Sequence, residues 1–406
     1  MQAYLEVKAN KGSAGIDEET LSTFEKDLKN NLYRIWNRMS SGSYFPPSVK
    51  AVPIPKKTGG TRILGVPTVS DRVAQMVVKK ILEPLLEPIF DENSFGYRPN
   101  RSAHDALTIT RKRCWKYDWV VEFDIKGMFD NIRHTLLIKA LEKHCDSKWI
   151  IMYVKRWLCA PLEDKDGKKT HRYKGTPQGG VISPLLANLF MHYAFDAWVR
   201  RELKEVPFCR YADDGLLHCK SQKQAEFVMK RLIKRFWDCG LEINLEKSKI
   251  IYCKDKNRKE NYQEITFDFL GYTFRPRRCV NGKGEIHPNF LPAISNTSKK
   301  AITKEIRSWH LQLKNEKSLL DLSKMFNSKL IGWSNYYGKF YSSELDSIWK
   351  NFNRYLEKWV RRKHKRFAWH KRRARDYINC LARANPSLFI NWKMGYFPGG
   401  KVVGAV

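Results

Sequence analysis

The chain has 406 residues, with 75 Lys and Arg against 42 Asp and Glu, and a formal net charge of +33. That length allows a core without covalent staples, and so large a cationic excess implies a polyanionic partner, because neutralised phosphates release their counterions. The sequence shows no apolar run of about 18 residues, no signal-peptide pattern at Met1-Gln2-Ala3-Tyr4 and no lipidation motif, which argues against a membrane protein.

In chain order, the first expected strand is Lys50-Ala51-Val52-Pro53-Ile54. Lys56 and Arg62 then flank Gly59-Gly60, a loop able to fold over a triphosphate and offer it cationic donors, or else a hairpin with solvated charges. A helix is expected from Asp71 to Leu86, with Val73, Met76, Val77 and Leu82 on one side. Trp119 to Phe123 is aromatic and β-branched and delivers Asp124 at its end, as a strand would. Gln178-Gly179-Gly180 is a small-residue stretch where backbone can approach a base pair closely, or simply a tight turn ahead of the helix that begins near Pro184.

The most informative segment is Phe208-Cys209-Arg210-Tyr211-Ala212-Asp213-Asp214-Gly215-Leu216-Leu217. Two apolar arms enclose two adjacent carboxylates, and the pattern predicts a hairpin in which Gly215 supplies the positive φ of a tight turn. Side-by-side carboxylates repel, and a divalent cation is the usual compensation. With Asp124 on a neighbouring strand, Asp213 and Asp214 form a set able to clamp two Mg²⁺ ions for phosphoryl transfer.

Leu241 to Leu245 and Ile250 to Cys253 are strand-like, and the polar stretch from Cys253 to Tyr262 is expected as a solvated loop. After about Asn296 the pattern turns helical: Ile302, Ile306, Trp309 and Leu313 recur at helical spacing, as do Ile348, Phe352, Leu356 and Trp359, and strands are no longer expected. Arg361, Arg362, Lys363, Arg366 and Arg372 belong to a dense basic run interleaved with Trp359, Phe367 and Trp369. That run is a candidate phosphate-tracking face, its aromatics either packing the helices or stacking on unpaired bases. Nine cysteines without a C-x-x-C pair are expected as reduced thiols of a cytoplasmic protein, and ten histidines without zinc spacing give no expectation of structural zinc.

Taken together, these segments resemble the reverse transcriptases encoded by group II introns. The likeness spans nearly the whole chain. It runs through Asn10-Lys11-Gly12-Ser13-Ala14-Gly15-Ile16-Asp17, Ile54 to Thr68, Ser94-Phe95-Gly96-Tyr97-Arg98-Pro99 with Arg101-Ser102-Ala103-His104, and the Asp124 strand. It continues through Gly175 to Asn188, Tyr211-Ala212-Asp213-Asp214, Gly240 to Lys249 and Phe267 to Tyr272, and Phe326 to Tyr337 is similar to the maturase-specific thumb segment. The resemblance implies an α+β fold of right-hand polymerase type, with fingers and palm over 1–290, an antiparallel palm sheet, a helical thumb or maturase domain over 291–385, and a C-terminal tail over 386–406. It implies an RNA-directed DNA polymerase that takes an RNA template, a DNA primer and dNTPs, binds intron RNA, and assists splicing.

By the same resemblance Asp124 and Asp213 bind both metals and Asp214 takes a lesser share. Phe129 lies under the incoming sugar and excludes a 2′-hydroxyl, unless it is a core aromatic. Gln178 and Gly179 lie beside the incoming nucleotide, and Lys247 near the primer-terminal phosphates. Two departures stand out. Glu18 follows Gly15-Ile16-Asp17 where the family commonly has Gly, and only nine residues precede Asn10, which puts in doubt the template and intron-RNA contacts that a longer N-terminal extension makes in relatives; and after Cys380 the sequence shows no Cys/His nuclease module, so no DNA-nicking domain is expected. The alternatives are a splicing cofactor without polymerase activity, against which the three carboxylates argue, and a reverse transcriptase co-opted for defence.

Overall fold

The computed structural model describes residues 1–55, 60–280 and 284–401. The chain packs as two compact units, Met1–Ile250 and Ile251–Val406. The composition change near Asn296 therefore falls inside the second unit.

The first unit opens with helices α1 (Gln2–Ala9), α2 (Leu21–Lys26) and α3 (Leu28–Ser40), followed by the antiparallel hairpin of β1 (Val49–Pro55) and β2 (Thr61–Val66). Lys56 lies outside the described residues. Helix α4 (Val69–Leu86) starts at Thr68, whose hydroxyl caps the Asp71 amide, and it is buried on nearly every side. Val73, Met76 and Leu82 are buried as expected, but Val77 is only half-buried and Val78 takes the interior position. Asp71, Arg72 and Gln75 are buried too, so the stripe read from the apolar residues understates how much of this helix is interior.

Helix α5 (Ala103–Lys116) begins in a capping box formed by Ser102 and Asp105. It leads to β3 (Trp119–Phe123), then α6 (Met128–Asn131), α7 (His134–Glu142) and α8 (Lys148–Cys159). The short strands β4 (Leu162–Glu163) and β5 (Lys169–Thr170) extend the β1–β2 sheet. Helix α9 (Ser183–Met191), with Pro184 in its first turn, continues through a π-helical turn, His192–Asp196, into α10 (Ala197–Glu202).

The second sheet holds β6 (Phe208–Tyr211), β7 (Asp214–Cys219) and β8 (Lys249–Tyr252) in the order β6-β7-β3-β8, and β3 runs antiparallel to β7. Helix α11 (Gln222–Asp238) packs Phe236 against Phe123 of β3, ring centroids 5.4 Å apart. Between α11 and β8 the strand-like Leu241–Leu245 segment makes only one bridge, Ile243 to Ile125.

After β8 a loop leads to a three-stranded sheet of β9 (Phe267–Phe269), β10 (Tyr272–Val280) and β11 (Ile286–Ile294), all in the second unit. Helices α12 (Asn296–Ser308), α13 (Leu319–Tyr337), α14 (Asp346–Lys363) and α15 (Lys371–Ala384) follow. Their core stacks Trp309 on Phe326 at 4.5 Å and on Trp333 at 5.7 Å, and buries Ile348, Phe352, Leu356 and Trp359 of α14. Leu313 departs from expectation and is exposed, because α12 has already ended and a 3₁₀ turn rotates it outward. Strands do not vanish either, since β12 (Tyr396–Phe397) pairs with β13 (Gly400–Lys401) after the short α16 (Ile390–Lys393). The segment after Pro386 is not a free tail: Phe389 and Trp392 are fully buried, and the Trp392 indole donates to Asn353 Oδ1 at 3.0 Å. Two large aromatics so close in sequence outweigh the polar appearance of their surroundings.

Candidate active site

Asp213 lies in the two-residue turn between β6 and β7, and Asp214 is the first residue of β7, paired with Tyr211. The positive φ of this turn falls on Ala212, at 57°, rather than on Gly215. Gly215 answers a different need. A Cβ there would stand 2.1 Å from the Phe123 ring, so the paired strand requires its absence. Pairing of Phe123 with Gly215 sets Asp124, the next residue, beside the turn.

Asp124 is held from both sides of its own backbone. Its amide donates to Ser248 Oγ at 3.1 Å, and its carbonyl accepts from the Asn244 amide at 2.8 Å. Lys247 Nζ lies 3.4 Å from Asp124 Oδ2.

Asp213 and Asp214 are both held above the ordinary carboxylate range. Burial, then the charges of Asp213 and Asp124, push Asp214 up to about 7, with Lys247 pulling the other way. The Asp214 side chain still opens to solvent, which softens the first of these causes. Asp213 is raised chiefly by burial and also by Asp124, while its own backbone hydrogen bond, Arg62 and Arg210 act downward. Uncompensated like charge among hard oxygen donors is the chemistry that a divalent cation satisfies. Among the described residues, however, no three or more His, Cys, Asp or Glu side chains are already arranged to hold a metal ion.

The turn stands on a buried support that the motif itself does not reveal. Arg210, fully buried on β6, donates from Nε and Nη2 to the two oxygens of Asp196 at 2.7 and 2.6 Å, and Asp196 is fully buried as well. Arg210 Nη1 also donates to Asn188 Oδ1 at 3.1 Å and to the Ala212 carbonyl at 3.0 Å, so the guanidinium ties the left-handed residue to α9. Asn188 Nδ2 donates in turn to the Gly96 carbonyl at 2.7 Å. A Cβ on Gly96 would fall 2.4 Å from the Ala212 nitrogen, which is why glycine stands there. Asn188 and Gly96 lie in recognisable motifs, but nothing local marks Asp196, which reaches Arg210 from the end of the π-helical turn.

A family model described as "Reverse transcriptase (RNA-dependent DNA polymerase)" matches residues 54–274, more than half of the chain. This chain belongs to the reverse transcriptase family. A second model, "Group II intron, maturase-specific domain", matches residues 299–377. The chain is 29% identical over 420 residues to the group II intron-encoded protein LtrA of Lactococcus lactis subsp. cremoris, covering 83% of this chain and 68% of that one. It is 28% identical over 307 residues to protein YkfC of Escherichia coli (strain K12), covering 66% and 77%. A solved telomerase structure from Candida albicans aligns at a TM-score of 0.48 and 15% identity, covering 91% of this chain and 67% of the other.

In this reverse transcriptase the other expected site residues are distributed unevenly. Arg62, exposed on β2, is near enough for its charge to act on Asp213 and Tyr97. Phe129 is 8% exposed, and its ring meets Tyr97 edge-on at 6.3 Å. Gln178 donates to Asp130 Oδ2 at 3.3 Å, its carbonyl accepts from the Gly65 amide at 2.8 Å, and its side-chain oxygen is buried without a partner. Gly179 has φ 121°, and a Cβ there would lie 2.5 Å from the Gly65 carbonyl oxygen. The Gln178–Gly179 loop is thus laid directly on β2.

The basic run divides by what each side chain touches. Arg361 donates from Nε and Nη2 to the Ala368 carbonyl, Lys363 donates to the carbonyls of Asn315 and Lys317, and Arg366 lies over the rings of Phe367 and Tyr377. Those three spend their donors or faces on the fold. Arg362 and Arg372 are exposed. No helix among the described residues is long and apolar enough to cross a membrane.

A deeper polar network, unread in the sequence, lies under the Gln178–Gly180 loop. Asp71 Oδ1 accepts from Tyr44 at 3.1 Å and Trp157 at 2.7 Å, and Oδ2 accepts from Gln75 at 2.9 Å. Gln75 Oε1 then accepts the Ile182 amide at 3.3 Å. Polar residues inside a helix-periodic segment were the available signal.

Proposed function

We propose that Asp124, Asp213 and Asp214 hold two Mg²⁺ ions and that this reverse transcriptase copies RNA into DNA at that site, from a DNA primer and dNTPs. The observation that carries the reading is the meeting of three carboxylates at the ends of paired strands, where burial and then neighbouring carboxylate charge raise the proton affinity of Asp213 and Asp214. Members of the family use divalent metal ions. When bound, such ions activate the primer 3′-hydroxyl and stabilise the departing pyrophosphate.

The remaining residues bind and orient. Arg62 and Lys56 grip the triphosphate as cationic donors. Gln178 and Gly179 bring backbone close to the nascent base pair, and Phe129 lies beneath the sugar and rejects a 2′-hydroxyl. Lys247 serves the primer-terminal phosphates, and its contact with Asp124 at 3.4 Å offsets carboxylate charge. The C-terminal unit grips intron RNA and assists its splicing, consistent with the maturase-specific match. Free thiols throughout fit a cytoplasmic protein.

The test is primer extension on an RNA template with Mg²⁺ and dNTPs. Asp213→Asn is expected to lower turnover on the order of 10²–10³-fold or more, the scale of losing a principal electrostatic element of a site. RNA affinity should hardly change, because no phosphate-binding cation is removed. Undiminished synthesis by Asp213→Asn would place the chemistry elsewhere.

A further inference from the structure

The connection between α14 and α15 treats its aromatics in opposite ways. Trp359 and Phe367 are 3% and 9% exposed and belong to the helical core, whereas Trp369 is 91% exposed. Its presentation is ordered. The Ala368 amide donates to Lys365 at 3.1 Å, the His370 amide to Phe367 at 3.0 Å, and the Ala374 amide to His370 at 2.9 Å. Arg361 clamps the Ala368 carbonyl with two donors, at 3.1 and 2.9 Å. The backbone on either side of Trp369 is therefore fixed, and the largest apolar side chain is offered to water from a rigid support.

Cations crowd its sequence neighbourhood. Lys365, Lys371, Arg372 and Arg373 are all exposed. The acidic Glu357 on α14 lies instead against Arg375, 3.5 Å away. Protein interfaces deplete lysine around their apolar anchors, whereas single-stranded nucleic-acid sites combine aromatic platforms with cations that track phosphates.

We infer that Trp369 is a stacking platform for one unpaired base of a bound RNA, with Lys371, Arg372 and Arg373 holding the adjoining phosphates. This rests on the reading of the C-terminal unit as an RNA-binding one. A paired base offers no free face to the ring, so the contact selects loops and bulges over continuous duplex.

The test compares two RNAs of equal length, a hairpin with an open loop and a fully paired duplex, binding to the full chain and to its Trp369→Ala and Trp369→Phe variants. Trp369→Ala should weaken hairpin binding by about 5- to 150-fold, the range of a lost base–aromatic stack. Its duplex affinity should stay within about twofold, and its salt dependence should be unchanged, because no charge is lost. Trp369→Phe should restore most hairpin affinity. Equal losses on both RNAs, or no loss on the hairpin, would overturn the stacking assignment. So would a change in sedimentation with RNA binding intact, which would make the ring a protein contact. Failure of the wild-type chain to bind either RNA with a salt dependence would instead overturn the RNA-binding reading beneath it.

Discussion

Phe129 is nearly buried yet lies against Tyr97, a residue that senses the charge of Asp213. A ring so placed can pack and gate together. Phe129→Val is expected to raise kcat/KM for rNTPs relative to dNTPs by about 10-fold or more, the scale on which small steric changes in a pocket discriminate substrates. The change should also cost about 1–3 kcal/mol of stability. A lowered Tm with an unmoved sugar ratio would make Phe129 a packing residue alone. At this scale the three carboxylates were legible because each motif is short and local. The role of Gly215 was not, since it depends on the ring of Phe123, far away in sequence, and the strained φ falls on Ala212 instead.

Helix α4 shows what periodicity leaves out. Its apolar spacing located the helix, but Asp71, Arg72 and Gln75 are interior as well, and their partners on other elements cannot be read from one segment. Burial pushes Asp71 up to about 6 from an ordinary value of 3.8, despite the donors of Trp157, Gln75 and Tyr44 acting downward. A carboxyl raised in the folded state contributes stability that is complete below about pH 4 and is lost as pH rises through about 6. Asp71→Asn removes that titration. The unfolding free energy of wild type minus variant should therefore fall by about 2 kcal/mol between pH 4 and pH 7. A difference that stays constant with pH, measured by denaturant titration, would contradict the raised Asp71. Helix α14 was read correctly because its four spaced apolar residues all face the core, whereas the buried Phe389 and Trp392 sit on elements too short to show a period.

On the scale of the molecule, the net charge of +33 foretold a polyanionic partner, and the order of the motifs foretold the family. The division into units was less legible. The β9–β10–β11 sheet reads as a continuation of the strand-rich N-terminal region, yet Tyr272 packs with Tyr336, Tyr337 and Phe340, and Glu344 gathers Arg277 and Lys299. Those ties bind the sheet to the helices that follow it, a preference decided by side-chain contacts rather than by secondary-structure type. The central claim is that Asp124, Asp213 and Asp214 act as one metal-binding set. Titration of Mn²⁺ into the full chain, read by its electron paramagnetic resonance signal, tests that directly. Asp124→Asn and Asp213→Asn should each weaken Mn²⁺ binding by at least about 10-fold, since each removes a charged oxygen ligand from a shared site. Mn²⁺ binding as tight in both variants as in wild type would contradict the account.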